Sequence, residues 1–192
     1  TLSIIGGGYI ATEIAHIFSS FGCQVTILAR GDRLLRAQDK EIGLRFTESF
    51  RNRVDVHLNV DIQNVSEDEF GGVSISCVTP DGSMSLSSEM LLVATGRVPT
   101  ADQLNLGSTD LLTDCGYIVT DENMCTTVEG VFALGDVTNP SQLKHSANAE
   151  ARVVTHNLLN AENLISVDLE PMPYAIFSNP QIAAVGATEE NL

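Results

Sequence analysis

Three small residues near the start of the chain have the spacing of a phosphate-binding turn. Gly6, Gly8 and Ala11 lie between an apolar run and a segment whose apolar residues recur every three or four positions. The first glycine permits a tight turn, the second lets backbone N–H groups approach a pyrophosphate, and the alanine lets a helix pack close to a strand. The helix N-terminus adds N–H donors and partial positive charge. The pattern predicts a dinucleotide site.

Arginines after the second predicted strand indicate which dinucleotide binds. An NAD site needs a carboxylate at the end of that strand to accept a hydrogen bond from the ribose 2′-hydroxyl. Here Arg30 lies at that point instead, and Arg36 follows in the same loop. Guanidinium groups offer planar, multidentate donors to a 2′-phosphate. We therefore predict NADPH, with Arg30 and Arg36 as phosphate ligands and Arg33 as a solvent-facing neighbour. Asp32, also in this loop, leaves an NAD site open as the alternative.

The elements that must position these residues alternate between strand and helix. Apolar runs and helical periodicity predict strands over 2–5, 24–29 and 54–58, with helices over 9–21 and 38–53. This β-α-β-α-β order demands a parallel sheet. The apolar residues expected on the buried helix faces are Ile10, Ile14, Ile17, Phe18 and Phe21 in the first helix and Ile42, Phe46 and Phe50 in the second.

A different pattern follows the third strand. Short alternating segments at 60–65, 72–78 and 83–86, separated by turn residues, predict an antiparallel meander, and 90–95 predicts a buried strand. Beyond Pro99 we expect a second unit with strands near 117–119 and 130–136 and a helix over 146–159. A last segment opens near Pro171. The fold class is therefore α/β, with a Rossmann-like nucleotide-binding domain first.

Composition limits the function. The 192 residues carry a net charge of -15, of which residues 1–60 contribute +1 (seven basic, six acidic) and the other 132 contribute -16 (three basic, nineteen acidic). This balance disfavours nucleic acid and anionic membrane as partners, and no apolar run is long enough to span a membrane. The four cysteines have no zinc-site spacing, so we predict no metal and reduced, mostly buried thiols in a cytoplasmic protein.

Three separated motifs carry a family resemblance. They are IIGGGYIATE at 4–13, LVATGRVP at 92–99 and TTVEGVFALGD at 126–136. In this order they resemble the pyridine nucleotide–disulfide oxidoreductases, which are flavoprotein disulfide reductases. The segments 143–159 and 179–186 look like those of the mycothione reductase branch, with dihydrolipoamide dehydrogenase and glutathione reductase as the alternatives.

The resemblance implies roles for individual residues. Tyr9 matches a tyrosine that gates the nicotinamide pocket, and Glu13 matches a glutamate that pairs with a lysine beside the flavin. Asp136, helped by Gly135, matches the carboxylate that hydrogen-bonds the flavin ribityl chain, and His145 matches a residue near the flavin ring edge. Without the family resemblance, the sequence would instead indicate a core aromatic for Tyr9 and an exposed helix residue for Glu13. It would indicate a helix cap for Asp136 and a surface histidine for His145. The remaining matched cofactor-binding positions are Ile10, Thr95 and Gly96.

The resemblance also implies a domain plan. It assigns 1–98 to an NADPH-binding domain, 99–166 to the C-terminal part of an FAD-binding domain and 167–192 to the start of an interface domain. The parent is then expected to be a homodimer that reduces a small-molecule disulfide with NADPH and FAD. The redox-active cysteine pair, the flavin-phosphate motif and the flavin-side lysine are expected before Thr1, and the catalytic His-Glu pair after Leu192. The chain alone is expected to be inactive, and the alternative is a catalytically silent nucleotide-binding module. Separately, apolar elements from about 99 onward, such as 131–134, are expected to expose an apolar patch.

Overall fold

Two units make up the computed structural model, which describes residues 1–139, 142–168 and 171–189. Contacts group residues 1–96 with the described residues from Pro173 onward, and Arg97–Met172 form the second unit. The change of unit at Arg97 lies two residues from the predicted boundary after 98. The return to the first unit begins at Pro173, whereas the prediction starts a third segment at 167. The assignment of cofactors to these units stays a prediction.

A four-stranded parallel sheet forms the core of the first unit. Its strands are β1 (Leu2–Ile5), β2 (Val25–Leu28), β3 (Asp55–His57) and β7 (Met90–Val93), in the order β3-β2-β1-β7. Ile5 at the end of β1 is in register with Leu28 of β2 and Val93 of β7. All neighbours run parallel, so the carboxyl ends of the strands share one edge of the sheet. This confirms the predicted parallel α/β fold.

Helix α1 (Tyr9–Ser20) turns to the sheet a face that only partly matches the predicted one. Ala11, Thr12 and Ala15 are buried, and Ile14 packs against the same core as predicted. The other four predicted residues are exposed, and their exposed fractions are 38% for Ile10, 43% for Ile17, 44% for Phe18 and 83% for Phe21. Small side chains at the contact allow the helix to lie close to β1 and β2, and this close approach outweighs the burial of larger side chains.

Helix α2 (Lys40–Phe50) begins where the Asp39 carboxylate accepts a hydrogen bond from the Glu41 N–H at 3.0 Å. This is an N-cap of the usual kind. Phe46 and Phe50 are buried as predicted and their rings stack with centroids 4.9 Å apart. Ile42 is 45% exposed, so its predicted place in the core is wrong.

The antiparallel meander is present as predicted. It consists of β4 (Asp61–Glu67), β5 (Val73–Thr79) and β6 (Gly82–Ser88), paired in that order. Strand β7 follows directly and lies at the edge of the parallel sheet. Within the described residues no strand pairs with the other side of β7. Met90 and Val93 remain 66% and 62% exposed, so the prediction that this strand is buried is wrong.

The hairpin that completes the first unit is short. Its strands β10 (Tyr174–Ile176) and β11 (Ile182–Ala184) pair antiparallel. Ile176 is 2% exposed and belongs to the same apolar core as β1 and α1. The last described segment of the chain is therefore integrated with the first ninety-six residues by packing.

The second unit contains less regular structure than predicted. It comprises the small hairpin of β8 (Thr113–Asp114) and β9 (Tyr117–Ile118) and the helix α3 (Lys144–Leu159). Residues 130–136 do not form the predicted strand, since Phe132 makes only an isolated bridge to Cys125 and a 3-10 turn spans Gly135–Val137. A strand needs a paired neighbour along its length, and the described part of this unit provides one bridge.

Candidate coenzyme site

The glycine turn after β1 is built around one close backbone approach. Gly6 has φ +136°, and a Cβ on it would lie 2.2 Å from the carbonyl oxygen of Ala94 just beyond β7. Only glycine tolerates both this conformation and this contact. The tight turn predicted at Gly6 is therefore present, and it brings the end of β1 against the end of β7.

The next part of the turn leaves the start of α1 open. Gly8 is the N-cap residue of α1 and no side chain caps the helix there. A Cβ added at Gly8 would meet no atom within 4 Å. The first turn of α1 contains no acidic residue, and Ala11 is fully buried against the sheet. The uncapped N–H groups and the helix dipole make this end of α1 suited to an anion.

A backbone hydrogen bond holds the loop after β2 against the glycine turn. Leu35 adopts a left-handed conformation with φ 53° and its N–H donates to the carbonyl of Gly7 at 2.7 Å. Leu34 is fully buried and its N–H donates to the Thr47 hydroxyl at 2.9 Å. These contacts hold the arginine-bearing loop next to the turn, so both belong to one site at the carboxyl edge of the sheet.

The two predicted phosphate ligands both reach solvent. Arg30 is exposed, and no hydrogen bond or ion pair is found for it in the described ranges. Arg36 is 64% exposed, and its Nε lies 3.8 Å from Asp32 Oδ1. A Cβ on Gly31 would lie 2.4 Å from Arg36 Cδ, so the absence of a side chain at Gly31 leaves room for the Arg36 stem.

Arg33 does not face solvent, and that prediction is wrong. Its side chain is only 11% exposed and lies over Gly43 of α2, where an added Cβ would meet Arg33 Cδ at 3.1 Å. Its Nη1 donates to Asp32 at 3.3 Å, while its buried Nε has no hydrogen-bond partner in the structure as described. The apolar stem of Arg33 packs on a helix that has a glycine at the contact.

The cofactor-binding residues that the family resemblance adds to the first unit lie at the start of α1 and just beyond β7. Tyr9 is 39% exposed, and Thr95 and Gly96, beyond β7, are exposed at the same edge of the sheet. Glu13 is the acceptor of a 2.8 Å hydrogen bond from the Phe177 N–H. The carboxylate of Glu13 thus connects α1 to the β10–β11 hairpin.

A second hydrogen bond joins that hairpin to the arginine loop. The Tyr174 hydroxyl donates to Oε1 of buried Gln38 at 2.7 Å. Sequence analysis did not single out either residue, and no local signal marks them because they lie 136 positions apart. Tyr174 and Gln38 therefore form a support for the site that only the tertiary structure reveals.

The remaining predicted site residues lie in the second unit. Asp136 forms an ion pair with Arg97 at 2.6 Å and is 37% exposed. Gly135 has φ +77° and its N–H donates at 2.5 Å to Glu150, a carboxylate that is 1% exposed on α3. His145 is exposed on the first turn of α3. Glu150, which the sequence analysis missed, holds the turn that presents Asp136.

The surroundings of three of the four cysteines raise the pKa of the thiol. Burial raises the pKa of Cys77, and burial followed by the charge of Asp121 raises that of Cys125. A hydrogen bond to Asp114 raises the pKa of Cys115. All four thiols are free, but only Cys77 is buried, so the expectation of mostly buried thiols is wrong. A raised pKa lowers the thiolate fraction and hence reactivity.

The described residues contain no group of three or more histidine, cysteine, aspartate or glutamate side chains placed to hold a metal ion. None of the helices within those ranges is long and apolar enough to cross a membrane.

Comparison with known proteins gives consistent matches over the chain. A family model described as pyridine nucleotide-disulphide oxidoreductase matches residues 1–152. A mycothione reductase of Mycobacterium tuberculosis (strain H37Rv) is 42% identical over 190 residues, covering 97% of this chain and 40% of that protein. A glutathione reductase of Burkholderia cepacia is 35% identical over 190 residues, covering 98% of this chain and 41% of that protein.

The fold is also found in a solved structure. The HOCl-induced flavoprotein disulfide reductase RclA from Escherichia coli superposes with a TM-score of 0.84 at 32% identity, covering 99% of this chain and 43% of that one. The chain thus spans about 40% of the length of the curated relatives it matches. The family resemblance inferred from the three motifs is confirmed.

Proposed function

Because the chain belongs to the pyridine nucleotide-disulphide oxidoreductase family, we propose that its first unit is the NADPH-binding part of an FAD-dependent disulfide reductase. One observation carries this proposal. The loop that bears Arg30 and Arg36 is hydrogen-bonded beneath a glycine turn whose helix N-terminus is open, through the Leu35 N–H and the Gly7 carbonyl. A pyrophosphate site and a 2′-phosphate site are therefore adjacent.

The chain's own groups divide the binding work between them. The N–H groups at the start of α1 receive the pyrophosphate, since a Cβ built on Gly8 would meet no other part of the protein within 4 Å. Arg30 and Arg36 take the 2′-phosphate from solvent-facing positions. Tyr9, Ile10, Thr95 and Gly96 complete the proposed coenzyme site near the end of β1 and β7. Charge-assisted hydrogen bonds to a phosphate are the stronger class of such bonds, so the arginines set the preference for NADPH.

The second unit is proposed to hold part of the flavin. Asp136 fits a hydroxylated chain because its carboxylate reaches the surface, and Gly135 beside it adopts the positive φ that the turn requires. In that complex the Arg97 ion pair orients the Asp136 carboxylate, and the buried Glu150 keeps the turn in place. His145 is assigned to the ring edge. A bound flavin supplies the electron relay between the reduced coenzyme and a disulfide.

Mycothiol disulfide is the substrate we propose for the parent protein, a cytoplasmic homodimer. The 42% identity to a mycothione reductase over nearly the whole chain supports this choice over glutathione disulfide, for which the corresponding relative is 35% identical. Turnover of the full-length protein with mycothiol disulfide, glutathione disulfide and a lipoyl substrate tests it. A preference for a lipoyl substrate with NADH would overturn both the substrate and the coenzyme.

Coenzyme titration tests the site in this chain. We expect NADPH to bind more tightly than NADH. Arg30→Gln and Arg36→Gln should each weaken NADPH binding by about tenfold, because each removes an exposed charge-assisted hydrogen bond. The affinity for NADH should change less than twofold. Arg45→Gln is the matched control, since Arg45 is an exposed α2 arginine paired with Glu41. Equal losses of NADPH and NADH would contradict the assigned role.

A further inference from the structure

One carboxylate lies inside the proposed 2′-phosphate site. Asp32 stands between the two arginines in sequence, is 57% exposed, and its Oδ1 lies 3.8 Å from Arg36 Nε. The same oxygen accepts from Arg33 Nη1 at 3.3 Å. An anion that binds Arg36 therefore approaches the negative charge of the Asp32 carboxylate. The proposed function assigns no role to this carboxylate.

We propose that Asp32 is a specificity-determining residue that weakens the 2′-phosphate site and so narrows the preference for NADPH over NADH. The inference rests on the proposed NADPH function. It concerns how strongly the site discriminates between two coenzymes, which differ only in the phosphate on the adenosine ribose.

Arg33 keeps Asp32 in this position. The Arg33 side chain is 11% exposed and packs over Gly43 of α2, so its guanidinium has little freedom to move. By donating to Asp32 it restrains the carboxylate next to Arg36. Rotation of Asp32 away from an incoming phosphate would break the only hydrogen bond found for the Asp32 side chain in the described residues.

Asp32 can affect anion binding at Arg36 in two opposite ways. Asp32 could favour binding by orienting Arg36, but their contact is long and both side chains are more than half exposed. Such exposed pairs hold a side chain only weakly. Repulsion is larger, because a phosphate oxygen bonded to Arg36 Nε at ~3 Å lies within roughly 7 Å of Asp32 Oδ1.

The size of the repulsion follows from the charges. A carboxylate and a phosphate carrying about -2, placed ~6.5 Å apart in water, repel enough to weaken binding about ninefold without salt. Screening reduces this to about threefold at 0.15 M ionic strength and about sixfold at 0.01 M. The effect of Asp32 is therefore expected to depend on salt and to act on NADPH alone.

The test compares Asp32→Asn with the unaltered chain by titrating NADPH and NADH at both ionic strengths. Asparagine keeps the shape and removes the charge. We expect NADPH to bind about threefold more tightly at 0.15 M and about sixfold more tightly at 0.01 M, with NADH unchanged within 1.5-fold. Glu67→Gln is the matched control, since Glu67 is an exposed residue of β4 in the meander and the net charge changes equally.

Each other outcome overturns a different statement. NADPH binding that is weaker in Asp32→Asn would show that the carboxylate orients Arg36, and unchanged binding of both coenzymes would show that it does not repel the phosphate. Weaker NADH with unchanged NADPH would make Asp32 a ligand of the ribose hydroxyl. Tightening by Glu67→Gln as well would reduce the effect to net charge. If the unaltered chain binds neither coenzyme, the proposed function fails, and this inference fails with it.

Discussion

Replacing Gly6 by alanine perturbs the turn at its closest contact. Alanine at φ +136° is strained, at a cost of about 1–3 kcal/mol. Its Cβ would also lie 2.2 Å from the Ala94 carbonyl oxygen, so the ends of β1 and β7 must separate by about 1.2 Å to reach an ordinary 3.4 Å contact. Overpacking of this kind costs about 1–3 kcal/mol. We expect Gly6→Ala to lower the free energy of unfolding of the first unit by about 2–6 kcal/mol.

Gly8→Ala is the matched variant with the opposite expected phenotype. Gly8 has φ -86° and open space around its added Cβ, so the substitution should cost about 1 kcal/mol or less. The same Cβ would project toward the proposed pyrophosphate position. We expect NADPH and NADH to lose affinity together by about tenfold or more, with the fold retained.

Urea unfolding followed by circular dichroism measures the first effect, and coenzyme titration measures the second. A loss of about 3 kcal/mol corresponds to a melting temperature lower by roughly 12 °C for a unit of about 116 residues. Gly6→Ala with unchanged stability would refute the argument from backbone contact. Gly8→Ala with unchanged coenzyme affinity would refute the placement of the pyrophosphate at the start of α1.

Three further outcomes follow from other contacts. Gly31→Ala should displace the Arg36 stem, whose Cδ lies 2.4 Å from the added Cβ. Parallel titrations should show weaker binding of NADPH and unchanged binding of NADH, with a melting temperature within about 2 °C of that of the unaltered chain. Tyr174→Phe removes the 2.7 Å bond to buried Gln38 and should lower the free energy of unfolding by about 1–3 kcal/mol in urea; an unchanged midpoint would contradict the support assigned to it. Because burial raises the pKa of Cys77, its thiolate fraction at pH 8 falls below that of an ordinary cysteine, and mass-spectrometric mapping of iodoacetamide labelling should show it modified only on unfolding.

Much of the fold of the first unit could be predicted from residues that are close together in the sequence. Strand and helix order, the meander and the turn at Gly6 follow from short-range periodicity and from glycine's access to positive φ, and each appears where it was expected. The boundaries moved by a few residues, as for α2, which begins at Lys40 after the Asp39 cap rather than at Gln38.

The buried face of α1 was predicted wrongly at four of its five positions, all but Ile14, for a physical reason. Periodicity showed an apolar stripe that includes Ile17, Phe18 and Phe21, but a helix lying against a parallel sheet needs small residues at the contact. Ala11 and Ala15 therefore face β1 and β2, and Ile17, Phe18 and Phe21 face outward. Hydropathy alone does not distinguish a core stripe from an exposed one when small residues compete for the closest approach.

What the sequence determined by itself is therefore the order of elements, the glycine turn, the family and the arginine-rich loop, because each depends on residues near one another in the chain. Tertiary structure alone decided that Arg33 packs on α2, that Asp32 lies beside Arg36, and that the hairpin of Tyr174 supports the site. These contacts join segments as far apart as 136 positions. They depend on how helices and sheet fill space together, which no local pattern records.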